Sequence, residues 1–332
     1  MISVIIPTRN RADLLTFVLD SLTRQTLSSD HFEVLVIDNG SRDSTATVVQ
    51  KYSALLGNIR YFYESEPGLH VGRHRGMIEA KYDIFVFADD DIEALPTWLE
   101  SIQEAFLEPD VAMVGGNNLP LFLKPPPQWL QDMWDNSRSR DYQALSALSI
   151  LKMDGPARDF SPYYVWGCNF SIRKQVLLEA GGFHPDGMPQ DLIRFRGDGE
   201  THVSRYVLES GKRCVFHPGD TVYHKVMPER MTFEYFRQRG FNQGVSDSYT
   251  ELRGEDVKTI KVKRNLLRRI ASWGRRQFKS MISMCSEANR ALDELQCGHK
   301  EGYAYHQQMY RDDAAVREWV HKTKYFKEDN ND

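Results

Sequence analysis

Cysteine is scarce in this sequence. Its four residues of that type in 332 (Cys168, Cys214, Cys285 and Cys297) lie far apart, with no CxxC pair. That argues against a zinc ribbon or a thioredoxin-like redox motif and reads as reduced, buried thiols in a cytoplasmic protein. Nowhere do about 18 apolar residues run together, so no membrane-spanning helix is expected. The opening MISVIIPTRNR lacks the basic start and the apolar stretch of roughly 7–15 residues that a signal peptide needs. Charge of one sign is also missing: 42 Lys and Arg stand against 46 Asp and Glu, for a net charge of −4, so bulk electrostatics give no reason to expect nucleic acid as a partner. No internal repeat or low-complexity segment is present. At 41% hydrophobic residues the chain can bury a sizeable core, which excludes wholesale disorder. Its length suits one large or two smaller domains.

The first half alternates two hydrophobic periods. Continuous β-type runs at Ile2–Ile6, Val34–Ile37, Ile59–Tyr63 and Ile84–Ala88 are separated by helical spacings. These spacings fall at Leu14–Leu22, Asp43–Leu56, Arg73–Lys81 and Pro96–Phe106. Buried-type strands alternating with helices predict a mostly parallel sheet covered on both faces. Ligands of such sheets sit beyond the carboxyl ends of the strands. The residues there are Thr8, Arg9 and Asn10, then Asp38 and Asn39, then Asp89, Asp90 and Asp91. Further on, Pro120–Pro127 reads as a rigid connection and 129–154 as a helix or a loop. Tyr163–Ile172, Arg213–His217 and Thr221–His224 read as strands, and Arg173–Ala180 and Thr201–Leu208 as helices. From about Met231 strand signals fade, and 231–243 and 257–297 read as helices.

Three carboxylates crowded at the end of one buried strand repel each other unless something positive neutralises them or their pKa values rise. A divalent magnesium or manganese ion does this with oxygen ligands while they stay ionised. The competing reading is a solvated turn, which aspartate also favours.

At this point the chain resembles family 2 glycosyltransferases of the GT-A fold. The matching pieces occur in order: SVIIPTRNR (3–11), VLVIDNGSRDST (34–45), EPGLHVGRHRGMIEA (66–80), FVFADDDIEALPTWLE (85–100), WGCNFSIRKQVLLEAGGF (166–183), GDGET (197–201) and the HxxxPERMT run (224–232). The resemblance covers about residues 1–245. It implies a GT-A (nucleotide-diphospho-sugar transferase) α/β fold with a mostly parallel central sheet and an α-helical C-terminal extension. The expected organisation is a catalytic domain at 1–228, with a donor-binding half at about 1–118 and an acceptor half at about 119–228, followed by a helical region at 229–332. The implied reaction is inverting transfer of a sugar from a nucleotide diphosphate, most readily a UDP-sugar, to an acceptor hydroxyl on a glycan, a lipid-linked carrier or a small molecule. By resemblance, Pro7, Thr8 and Arg9 line the nucleotide pocket. Asp38 accepts hydrogen bonds from the base, and Arg73 lies near the base or the diphosphate. Asp89 and Asp91 form a DxD pattern with Asp90 between them. Asp91 is the direct ligand of Mn2+ or Mg2+, Asp89 is nearer the ribose and metal, and His224 completes the metal or diphosphate site. Trp166 and Asn169 follow a pattern that lines the sugar or acceptor site; for Trp166 a core role is an equal alternative. Asn39, Gly72 and the Arg73-His74 pair depart from the common family residues and bear on the donor's identity.

Such a transfer needs a carboxylate to take the acceptor's proton. Aligning GDGET on Thr201 selects Glu200 as that base, and aligning on its aspartate selects Asp198. The simpler alternative is that both cap the following helix. His70, His74, His217 and His224 match no common zinc spacing. Residues 258–281 form a basic stretch with Trp273 toward the apolar side. They suit peripheral contact with an anionic membrane, binding of another anion, or packing on the catalytic domain with the cations in water. Two other classes compete with a glycosyltransferase. A sugar nucleotidyltransferase would carry a glycine-rich loop after the first strand, and PTRNR has no glycine. A decayed carbohydrate- or membrane-binding module would not need the intact DDD and GDGE.

Overall fold

A computed structural model describes residues 1–139, 141–254 and 286–326. Strands β1 (Ile2–Thr8), β2 (Phe32–Asp38), β3 (Ile59–Tyr63) and β4 (Ile84–Ala88) pair in parallel. Helices α1 (Ala12–Leu22), α2 (Thr45–Tyr52) and α3 (Leu69–Glu79) connect them. The alternation of these strands divides their residues between two cores. Val4, Ile6, Val34 and Val36 meet Leu15, Val18 and Leu19 of α1 on one face, while Ile5, Leu35, Ile37 and Phe87 meet Met77 of α3 on the other. Each fully buried aliphatic side chain contributes roughly 1.5–3 kcal/mol relative to an exposed one, so both faces hold the strand ends in register.

The remaining chain adds β5 (Ile92–Ala94), α4 (Trp98–Ala105), β6 (Val111–Phe122), α5 (Gln128–Asn136), the hairpin β7 (Tyr142–Leu145) and β8 (Ile150–Met153), β9 (Arg158–Asp159), β10 (Asn169–Arg173), α6 (Lys174–Glu179), α7 (Glu200–Glu209) and β11 (Arg213–Val226). The sheet order is β3-β2-β1-β4-β10-β6-β11-β5. Strand β10 runs antiparallel to both β4 and β6, and β11 runs parallel to β6 but antiparallel to β5. The expected mostly parallel sheet is therefore corrected to a mixed one. The parallel run β3-β2-β1-β4 ends where β10 enters antiparallel between β4 and β6, and β6 and β11 form a separate parallel pair. The strand expected at Tyr163–Ile172 is also shorter: a 3-10 turn occupies Pro162–Tyr164 and pairing begins at Asn169.

Helices α8 (Phe233–Leu252), α9 (Ser286–Asp312) and α10 (Ala314–His321) form the C-terminal part. A Cβ on Gly240 or Gly244 would collide with the backbone of Leu295 or His299, so glycine lets α8 and α9 approach directly. Arg237 adds ion pairs to Glu294 at 2.7 Å and to Glu301. The basic stretch at 258–281 lies outside the described residues. Among the described residues no helix is long and apolar enough to cross a membrane.

Candidate active site

Two adjoining cavities open beyond the ends of the parallel strands. The smaller, about 380 Å3, is lined by Pro7, Thr8, Arg9, Arg11, Asn39 and Asp90 among others. The larger, about 450 Å3, is lined by Arg73, Trp166, Asp186, Asp198, Glu200 and residues of α8. Asp89 and Arg230 belong to both walls, so the strand-end aspartates stand at the junction.

The three aspartates point in different directions. Asp90 turns back into the parallel half, accepting from Thr8 Oγ1 at 2.7 Å and pairing with Arg11 Nη1. Burial pushes it up to about 7, against the charge of Arg11. Asp91 is buried between Arg230 (Nη2 to Oδ2, 2.9 Å), Arg11 (3.2 Å) and His224 (Nε2 to Oδ1, 3.4 Å). Burial raises its pKa, but His224, Arg230 and Arg11 outweigh that and hold Asp91 well below the ordinary carboxylate range. Pairing of β11 with β5 sets His224 opposite Ile92, which is how a residue so distant in sequence reaches Asp91. Asp89 is half-exposed to the junction. Burial first, then the charge of Asp91, raises its pKa, and its nearest cation is Arg73 at 3.9 Å.

Across the larger cavity, Arg73 of α3 is completely buried and joins two further carboxylates. Its Nη1 lies 2.8 Å from Asp186 Oδ2 and 2.9 Å from Glu200 Oε1. Burial would raise the pKa of Glu200, but Arg73 holds it below its ordinary value. Asp186 is different: burial dominates and pushes it up to about 6 despite Arg73. A Cβ on Gly167 would collide with both Glu200 Oε1 and Arg73 Nη2, so a side chain there would have to displace the ends of the pair.

Asp198 faces away from this pair. Its Oδ2 accepts from Arg205 (2.8 Å) and Thr250 (2.9 Å), and its Oδ1 lies 3.3 Å from His184 Nδ1. With His184 and His202 it forms a cluster able to coordinate a metal ion, the ligand atoms lying within 4.8 Å of one another. Among the described residues the Asp89, Asp91 and His224 set does not bring three ligand atoms that close together. Its fit to a hard divalent ion rests on Asp91 Oδ1, a buried oxygen that accepts no hydrogen bond, beside an imidazole and the half-exposed Asp89.

Several expected positions land elsewhere. Asp38 lines neither cavity: it is buried, with Tyr61 OH at 2.7 Å on one oxygen and the Ser41 N–H at 2.7 Å on the other. Asn169, expected at the sugar or acceptor, is buried in a hydrogen-bonded joint. It accepts from Trp98 Nε1 at 3.0 Å and donates to Asp220 Oδ1 at 2.8 Å. Trp166 does line the larger cavity. His70 and His74 lie on α3 with rings in edge contact, and His74 Nε2 accepts from the Phe183 N–H, so both pack rather than ligate. Sequence reasoning missed Arg11, Arg230 and Asp186. The first two sit inside the quoted TRNR and PERMT runs, while Asp186 had no signal beyond a turn-forming HPDG.

A mixed α/β sheet with an aspartate-tipped strand facing a carboxylate across a cleft defines a GT-A-like transferase. The chain belongs to glycosyltransferase family 2, whose profile, Glycosyl transferase family 2, matches residues 3–179. It is accordingly an enzyme of the hexosyltransferase type. Over 96% of its length it is 37% identical to the validoxylamine A glucosyltransferase of Streptomyces hygroscopicus subsp. limoneus, spanning 80% of that protein. It is 34% identical to glycosyltransferase AglE of Haloferax volcanii over 65% of this chain and 64% of that one. Among solved structures, the mannosyltransferase PcManGT from Pyrobaculum calidifontis, in complex with GDP-Man and Mn2+, superposes with a TM-score of 0.54 at 18% identity. The match covers 97% of this chain and 83% of that one, and the likeness is of fold.

Proposed function

We propose that the protein is an inverting, metal-assisted glycosyltransferase that moves a sugar from a nucleotide diphosphate, a UDP-sugar in our reading, to an acceptor hydroxyl. The observation that carries this is the position of Asp89 and Arg230 on the wall shared by two cavities, with Glu200 facing them across the larger one. The smaller cavity would take the nucleoside, bounded by Pro7, Thr8 and Arg9. Arg11 and Arg230, both half-exposed, can turn from Asp90 and Asp91 toward a diphosphate. Asp91 and Asp89, with His224 beside them, would hold Mn2+ or Mg2+. Bound there, the ion supplies Lewis-acid stabilisation of the leaving diphosphate. Glu200, kept ionised by Arg73, takes the proton of the acceptor hydroxyl as it attacks from the opposite side, and a single displacement inverts the anomeric centre. Asp198 is too fully engaged by Arg205 and Thr250 for that task. We infer a donor half at about 1–118 and an acceptor half at about 119–228, with α8 from the C-terminal region closing the acceptor wall.

Calorimetric titration of UDP with and without manganese tests the donor side. Binding should depend on manganese and disappear with EDTA or in Asp91→Asn. Equal affinity with EDTA removes the metal from this reading, and no UDP binding under either condition overturns the donor class.

A further inference from the structure

The larger cavity is lined by four carboxylates and four arginines, but the ion pairs among them are unevenly shared. Asp89, Asp186 and Glu200 all gather around Arg73, Asp198 is held by Arg205, and Arg230 is held by Asp91. Two guanidiniums of the wall remain, Arg196 just before α7 and Arg239 on α8. Among the described residues neither has a carboxylate within ion-pair distance, and the polar contact of Arg196 is a long one, Nε to Ser246 Oγ at 3.4 Å. Both are half-buried, so water screens them only in part. Arg196 and Arg239 line the same cavity; the charges of Asp186 and Glu200 act on Arg196 from across it without forming an ion pair, and that of Arg239 opposes them. Asn242 and Ser246, one and two turns along α8 from Arg239, add neutral hydrogen-bonding groups to the same wall. Half-buried like charges are costly unless an anion comes between them, and planar guanidiniums match the paired oxygens of a carboxylate or phosphate.

Resting on the glycosyltransferase reading above, we propose that Arg196 and Arg239 receive a carboxylate or phosphate carried by the acceptor. The acceptor is then an acidic sugar or a phosphorylated one, with Trp166 available to stack on its ring and its free hydroxyl directed at Glu200. The anion binds as a spectator, and no bond to it changes.

The test uses the full chain with UDP and manganese saturating the donor side, so that a sugar phosphate cannot bind there. Ligand-detected NMR titrations compare glucose, glucuronate and glucose 6-phosphate. Glucuronate or glucose 6-phosphate should bind at least about tenfold more tightly than glucose. Added salt should weaken the preference, and Arg196→Gln with Arg239→Gln should abolish it while UDP affinity stays within about twofold. Equal binding of all three sugars, no binding of either anionic sugar while UDP binds normally, or a preference that survives in the double variant overturns the proposal. So does a result in which the double variant changes only the discrimination between UDP-glucuronate and UDP-glucose, which would assign the arginines to the transferred sugar. UDP that fails to bind the unmutated protein overturns the underlying reading itself.

Discussion

On the β1–β4 side of the cleft, Asp90 and Asp91 are countered by Arg11 and Arg230, whose side chains are 35% and 23% exposed. On the opposite side Asp186 and Glu200 share one guanidinium, Arg73, that is 1% exposed. A half-exposed guanidinium can exchange a carboxylate for a ligand's phosphate because water covers the interval. A buried one cannot, since leaving its partners would strand charges in a low dielectric. The first arrangement thus works as a clamp that releases and regrips, and the second as a fixed frame for Glu200.

Replacing the buried cation should have the largest effect. Arg73→Met leaves Asp186 and Glu200 without their ion-pair partner, and we expect a loss of about 3–5 kcal/mol in chemical denaturation together with loss of turnover. If Arg73→Met unfolds at the same denaturant concentration as the unmutated protein, the frame is not what holds this wall.

Glu200→Gln should keep the frame's shape and remove its proton acceptor. Turnover should fall by roughly 10²–10⁴-fold while UDP affinity stays within about twofold. Near-normal turnover in that variant would move the base to Asp186, the other carboxylate on Arg73 and one already pushed up to about 6.

The clamp should behave in the opposite way to the frame. Arg230→Met removes a half-exposed partner, so stability should change by less than about 1 kcal/mol. UDP affinity should nevertheless fall about tenfold, the worth of one charge-assisted contact to a diphosphate. A variant that lost stability but bound UDP normally would exchange the roles assigned to the two sides.

The two sides also differ in how far the sequence discloses them. Strands β1, β2 and β4 are legible because their β-branched runs alternate with helical spacing, and the strand-end rule then points to Thr8 and Asp89–Asp91 with no further information. The other half lacks such a pattern. Strand β6 carries Gly115-Gly116 and Pro120, residues that ordinarily argue against a strand, yet it pairs with β11 as far as Phe122. The 163–172 stretch looks like a strand because it is apolar, but Trp166-Gly167-Cys168 bends around the Arg73–Glu200 pair instead of pairing. Asn169 reads as a ligand contact because a buried amide and an exposed one look alike in sequence. Only the positions of Trp98 and Asp220 decide between them. Arg196 and Arg239 line one cavity from separate elements, and no local spacing encodes that placement.

The smallest expected effect concerns the joint of the second half. Asp220 is fully buried against Asn169, and burial pushes it up to about 7 from an ordinary 3.8, with the hydrogen bond from Asn169 and the nearby Trp98 N–H opposing only in part. The folded state therefore holds this proton more tightly than the unfolded chain. Below about pH 4 both states are protonated and the group costs nothing. As pH rises toward 7 the unfolded chain releases its proton while the folded one must keep it or bury a charge, so stability falls across that window and levels off above it. Asp220→Asn keeps an oxygen to accept from Asn169 Nδ2 and has no proton to lose. Its melting temperature should sit close to that of the unmutated protein at pH 4.5 and move above it by a few degrees at pH 8, a gain on the order of 1–2 kcal/mol. An offset that is the same at both pH values would mean that Asp220 is ionised in the folded protein throughout, and that the Trp98–Asn169–Asp220 joint carries a buried charge like the Arg73 frame rather than a neutral acid.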